Sequence, residues 1–120
     1  MNRRDQAIVR SFNRALRAAN RSERTVASYN ESIRYLCRAC PDTGLLEHTR
    51  QTLTGFFEAS HDRLAPATCA HRYRSLRRFF NWAVKEELIT VSPMAGGLKP
   101  WVPDNPVPVF SDSEIRALLG

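Results

Sequence analysis

The stretch APATCAHRYRSLRRFFNWAVKEELITVSP, Ala65 to Pro93, decides the fold. Pro66 suits a first helical position, where a missing N–H costs nothing, and Pro93 stands just past the last turn that can form, so both ends carry chemical markers. At about 100° per residue, Cys69, Tyr73, Leu76, Phe80 and Ala83 fall on one side of a helix, with Phe79 and Val84 at its margins. That side is predicted to be buried. The opposite side gathers His71, Arg74, Arg78, Asn81 and Lys85, while Arg72 and Arg77 flank the core. The reading is one long amphipathic helix with a basic outer face and a break before Leu88 and Ile89, which then pack back on the core.

Working outward from that helix, Ile8, Phe12, Leu16 and Ala19 recur at helical spacing between Asp5 and Ala19, with Arg10, Arg14 and Arg17 on other faces. Ser22 can cap a second helix by accepting the N–H of Thr25, and Glu23 favours its first turn. Its apolar stripe is Val26, Tyr29, Ile33, Leu36, Cys37 and Cys40. Pro41-Asp42-Thr43-Gly44 supplies turn chemistry, and Thr49 caps a third helix that uses Leu53, Phe56 and Phe57 and ends near Arg63. No segment alternates with period two long enough for a strand. The expected fold class is all-α, a compact four-helix domain over residues 1–95. Gly96-Gly97 and the closely spaced Pro100, Pro103, Pro106 and Pro108 then read as an extended linker over 96–110. Ser111-Asp112-Ser113-Glu114 has capping-box spacing ahead of Ile115, Leu118 and Leu119, so 111–120 reads as the truncated start of another domain.

Charge narrows the function. The chain of 120 residues carries 18 Lys and Arg against 12 Asp and Glu, and 16 of the bases are Arg, whose planar fork binds phosphate and guanine bidentately. Residues 1–40 hold nine bases and three acids, and 65–100 hold six and two, whereas 41–64 and 101–120 are acidic. Positive charge in two blocks suits a nucleic-acid footprint. The same bias also arises from a GC-rich genome. The length permits one proper core but not two substantial domains. Three cysteines without regular spacing point to a reducing cytosol, and no apolar run is long enough for a membrane span or the core of a signal peptide.

In this order, the features resemble the N-terminal SAM-like core-binding domain of tyrosine recombinases, the phage integrase and Xer-like family. Ser22, Thr25 and Tyr29 fit the S-x-x-T-x-x-x-Y opening of the second helix, and Leu36 the apolar site after it. Pro66 and Thr68 fit the P-x-T start of the fourth, and Leu76, Arg77 and Phe80 continue its L-R-x-x-F core. Leu88 and Ser92-Pro93 fall where the family has an apolar residue and Asn-Pro, and Ser111, Glu114, Leu118 and Leu119 resemble the opening of the catalytic domain. Two departures weaken local helix ends: Ala65 replaces a common Ser cap, and Ser92 replaces Asn.

The resemblance implies a parent enzyme that clamps double-stranded DNA at a core-type recombination site between this domain and a catalytic one, with helices two and four facing the duplex. Other recombinase protomers then complete a tetrameric synapse in the cytoplasm of a bacterium or phage-infected host. A tyrosine of the catalytic domain attacks the scissile phosphate, and arginines, a lysine and histidines stabilise the transferring phosphoryl group. No metal or nucleotide cofactor is implied, and no catalytic residue is assigned in this chain. The expected DNA-binding residues are Arg24, Arg38, His71, Arg74, Arg78, Asn81 and Lys85.

Other constellations have plainer readings. Cys37-x-x-Cys40 has zinc-ligand spacing, but within a helical stripe such a pair reads as core, and no second pair follows. Tyr29 and Tyr73 read as core, and Tyr35 as structural. His48, His61 and His71 are scattered singly, solvent-exposed or incidental. Trp82 either stacks on a sugar or a neighbouring protomer or packs under the linker, and Trp101 anchors that linker. The runner-up function is a helical protein-interaction module whose basic faces only solubilise it. A transcriptional regulator is disfavoured because no short Gly-containing helix-turn-helix is evident.

Overall fold

The computed structural model describes residues 1–98. The expected linker prolines, Trp101 and the capping-box segment at 111–114 lie outside the described residues. Four α-helices and one short 3₁₀ turn make up the described chain, with no strand among these residues. The fold is all-α, as expected.

Helix α1 spans Arg3–Ala18, two residues earlier than the expected start, because Asn2 caps it by accepting the N–H of Asp5 at 2.7 Å. It closes with Asn20 in the left-handed region at φ 62°, the N–H of Asn20 donating to Arg17 O and that of Arg21 to Leu16 O. Since the helix has already ended, Ala19 is exposed instead of joining the stripe, and Val9 is buried beside Ile8, Phe12 and Leu16. Helix α2, Glu23–Ala39, starts at the Ser22 cap, whose Oγ accepts from Thr25 N at 3.1 Å. Its stripe is buried at Val26, Ile33 and Leu36, while Tyr29, Cys37 and Cys40 are half-buried at the edge of the core.

The connection to α3 is tied down by a long-range bond. Asp5, 5% exposed, accepts the N–H of Leu45 at 3.2 Å, fixing the 3₁₀ turn Leu45–Glu47 against α1. Helix α3, Arg50–Arg63, carries reciprocal capping bonds between Thr49 and Thr52 and buries Leu53, Phe56 and Phe57.

Helix α4 spans Pro66–Lys85 and packs on both α2 and α3. Its buried face contains Cys69, Tyr73, Leu76, Phe80 and Ala83, and also Phe79, which is fully buried and not marginal. The helix stops well short of Pro93, at the break expected before Leu88. Glu87 adopts φ 62°, its N–H donates to Val84 O, and the N–H of Leu88 donates to Ala83 O, both at 2.9 Å. This Schellman closure turns the chain ahead of the β-branched run Ile89-Thr90-Val91, which disfavours further helix. Ile89 packs against the core, but Leu88 is 43% exposed, so only one of the two packs back as expected. The chain then folds over the domain. Ser92 Oγ accepts the N–H of Met94 at 3.0 Å, Met94 and Leu98 are buried, and the Arg50 guanidinium donates to the carbonyls of Ala95 and Gly97. Packing therefore continues past residue 95 to Leu98.

Candidate nucleic-acid interface

Helix α4 is held by aromatic packing on one side and presents cations on the other. Its first turn has no acidic residue and Ala65 provides no side-chain cap, so beyond Pro66 at the first helical position the local sequence does little to stabilise its N-terminus. Stability comes instead from Phe79 and Phe80 in edge-to-face contact at 5.1 Å, and from Phe12 of α1 set edge-on to Phe79 at 5.3 Å. That fixed surface sets the direction of every side chain on the opposite face.

Arg74, Arg78, Asn81 and Lys85, four of the seven expected site residues, line one groove between α1 and α4. Its remaining walls are Phe12, Ala15, Leu16 and Ala19, with Tyr29 from α2 and Arg77 and Trp82 from α4. Arg74, Arg78 and Lys85 have no hydrogen bond or ion pair within the described residues, and neither does the Asn81 amide. Two cations elsewhere are occupied: Arg17 forms a bidentate pair with Glu23, and Arg50 holds two carbonyls. The groove is thus rich in unused donors and contains no carboxylate.

The other three expected residues are placed differently. His71 does not face outward. It is half-buried, shares a hydrogen bond through Nε2 with the Ser28 hydroxyl of α2, and lies 3.4 Å from Ser75 Oγ. It braces α2 against α4, so neither the expected outer-face position nor an incidental role describes it. Arg38 lines a second groove with Tyr35, Phe56, Arg63 and Arg72, between α2 and α3. Arg24 is exposed on the first turn of α2, about 21 Å along the axis from Arg38.

Arg72 is held by an aromatic ring and not by an acid, its guanidinium 3.9 Å from the centroid of Tyr35, with Arg38 at 5.4 Å from the same ring. Arg77 stands 5.7 Å from the Tyr73 ring and still reaches the groove. Periodicity placed it at an edge, although its spacing of three from Arg74 was the available signal. Tyr29 was unreadable as a groove residue because another helix delivers it. Trp82 is half-buried on Phe12 and Phe79, at 5.3 and 5.9 Å, and forms part of the groove surface.

The histidines and cysteines do not form a second site. His48 is 7% exposed, contrary to the expected surface role, because the Asp5-to-Leu45 tie seats its loop on the core. Thr52 Oγ1 donates to Thr49 O at 2.9 Å, so Nδ1–H of His48 donates to it at 3.0 Å, leaving the Nε2 lone pair buried without a partner in the described residues. Burial lowers the His48 pKa, against the opposing charges of Asp5 and Glu47. Burial also pushes the Cys37 thiol up, with Asp5 adding to it, and pushes the Cys69 thiol up against the pull of Arg72. Such thiols are poorly ionised at neutral pH. All three cysteines are free, and among the described residues no three His, Cys, Asp or Glu side chains are grouped to hold a metal ion. No described helix is long and apolar enough to cross a membrane.

Residues 9–87 match the family model described as phage integrase, N-terminal SAM-like domain. The chain is also similar to a protein named tyrosine recombinase XerC from Corynebacterium efficiens, 31% identical over 101 residues that make up 83% of this chain and 32% of that protein. It therefore spans about a third of that curated relative's length. No solved structure matches. With four helices in the described residues and a family match across all four, the chain belongs to the tyrosine recombinase family as an N-terminal SAM-like domain.

Proposed function

We propose that this chain is the DNA-gripping part of a tyrosine site-specific recombinase or integrase, holding duplex at a core-type recombination site. Strand cleavage and exchange belong to the parent's catalytic domain, and further protomers of the parent assemble the synapse. The observation that carries this reading is the groove in which Arg74, Arg78, Lys85 and Asn81 converge without partners in the described residues. Arg–phosphate and Asn–adenine pairings are the contacts these groups make best, and a cation row on one helix follows a duplex backbone. Arg24 and Arg38 add positive charge on α2, Arg38 in the separate groove between α2 and α3, and His71 and Ser28 lock α2 to α4. None of the three tyrosines is placed as a nucleophile: Tyr73 is buried, Tyr35 supports two guanidinium groups, and Tyr29 packs on Phe12 at the wall of the groove.

Fluorescence anisotropy of a labelled duplex at several ionic strengths tests the proposal. Binding is expected to be weak, because half a clamp makes part of the phosphate contacts, and to fall log-linearly with salt. A suicide-substrate duplex is expected to leave no covalent adduct on any of the three tyrosines. Absence of salt-dependent binding would favour the protein-interaction module instead.

A further inference from the structure

Duplex binding leaves the aromatic part of the α1/α4 groove without a purpose. A duplex offers phosphates and base edges, while each base face is covered by its stacked neighbour. Arg74, Arg78 and Lys85 suffice for the former. Yet Tyr29 and Trp82, both half-buried, line the same groove. Both rest on Phe12, at centroid distances of 6.2 and 5.3 Å, and Phe12 is 1% exposed and immobilised by Phe79. Within the described residues neither the Trp82 indole N–H nor the Tyr29 hydroxyl has a hydrogen-bond partner. Each half-buried ring therefore combines groove-lining surface with an unused polar group, on a rigid support, beside cations without partners in the described residues. That combination is how proteins take unstacked nucleotides: cations follow the backbone and aromatic rings receive the bases.

We infer that the α1/α4 groove accepts an unpaired nucleobase, an extrahelical or single-stranded nucleotide, against Trp82 and Tyr29, with Arg74 and Arg78 holding the adjoining phosphates. This rests on the groove facing DNA, as proposed above. The substrate class is then DNA carrying a local unpaired nucleotide in addition to perfect duplex.

The test compares three labelled duplexes of equal length: one perfectly paired, one with a single extrahelical nucleotide, and one with an abasic residue at that bulge. The abasic form keeps the bulge's flexibility but removes the base. The full chain carries Trp101→Phe, which leaves Trp82 as its one indole. The base-bearing bulge is expected to bind roughly tenfold tighter than the abasic one and to quench Trp82 emission. Tyr29→Leu and Trp82→Leu, checked by thermal melting, are expected to abolish that difference while perfect duplex still binds. Equal affinity for the two bulges without quenching, alongside salt-dependent duplex binding, would overturn this inference and leave the DNA face standing. Failure to bind any of the three would overturn both.

Discussion

Replacing the unpaired cations of α4 one at a time should change the ionic-strength dependence of binding by a countable amount. Arg74, Arg78 and Lys85 are the three groove cations without partners in the described residues. If each neutralises one duplex phosphate, together they contribute about −2.7 to the slope of log affinity against log salt, since each contact adds roughly −0.9. Their share of the loss between about 50 and 200 mM salt is then about 40-fold. Arg74→Ala or Arg78→Ala should reduce that share to about 12-fold, and the double variant to about 3.5-fold. Arg72→Ala is the internal control: its guanidinium is committed to the Tyr35 ring, so its loss should lower the melting temperature and leave the slope unchanged. Anisotropy titrations at four salt concentrations, each variant melted separately, provide the measurement. If Arg74→Ala and Arg78→Ala retain the parent slope, or Arg72→Ala loses as much slope as they do, α4 does not present this row to the backbone.

Three further outcomes follow from the packing, the backbone conformation and the electrostatics. Phe12→Ala removes a ring that contacts Tyr29, Phe79 and Trp82, and urea denaturation should show a loss of about 3–5 kcal/mol; a loss below 1 kcal/mol would mean that the cluster collapses around the gap. Glu87→Gly should stabilise the fold by about 1 kcal/mol, because φ 62° strains a side chain that is exposed and has no packing to lose, whereas Asn20→Gly should gain less since Asn tolerates that region. His48 has a folded pKa below its ordinary 6.5, so the unfolded chain takes up the proton first. Its contribution should be complete above that value and fall away as pH drops through the window below it, and chemical denaturation from pH 7.5 to 5 should show a steeper decline in the parent than in His48→Gln.

Legibility in the sequence followed the range of the interactions. The starts of α2 and α3 were readable because Ser22 and Thr49 cap by bonds spanning three residues, and the faces of α4 because their spacing is purely local. The break before Leu88 was readable too, but not the way it is made, because Glu87 enters the left-handed region where Gly or Asn is the usual signal. Nor was the packing of residues 94–98, where Arg50, more than forty positions earlier, holds the carbonyls of Ala95 and Gly97 and where Met94 and Leu98 are buried. The candidate site divides in the same way. Arg74, Arg78, Asn81 and Lys85 share a face by arithmetic, but only tertiary packing brings Tyr29 to them and turns His71 toward Ser28.

The stability and the charge of α4 are separable, and that separation favours a polyanion as its partner. A helix shaped for stability alone would carry acids in its first turn and opposite charges four residues apart. Helix α4 has neither an acidic first turn nor a side-chain cap, and Arg74 and Arg78 place like charges at i and i+4. Each of these features costs a few tenths of a kcal/mol to about 1 kcal/mol. The aromatic face formed by Tyr73, Phe79 and Phe80 offsets that cost through burial, which is indifferent to charge on the far side. The cations are consequently held in place without local neutralisation. On the proposed function their potential is available to an incoming phosphate backbone, and binding would relieve a repulsion that the folded chain already sustains.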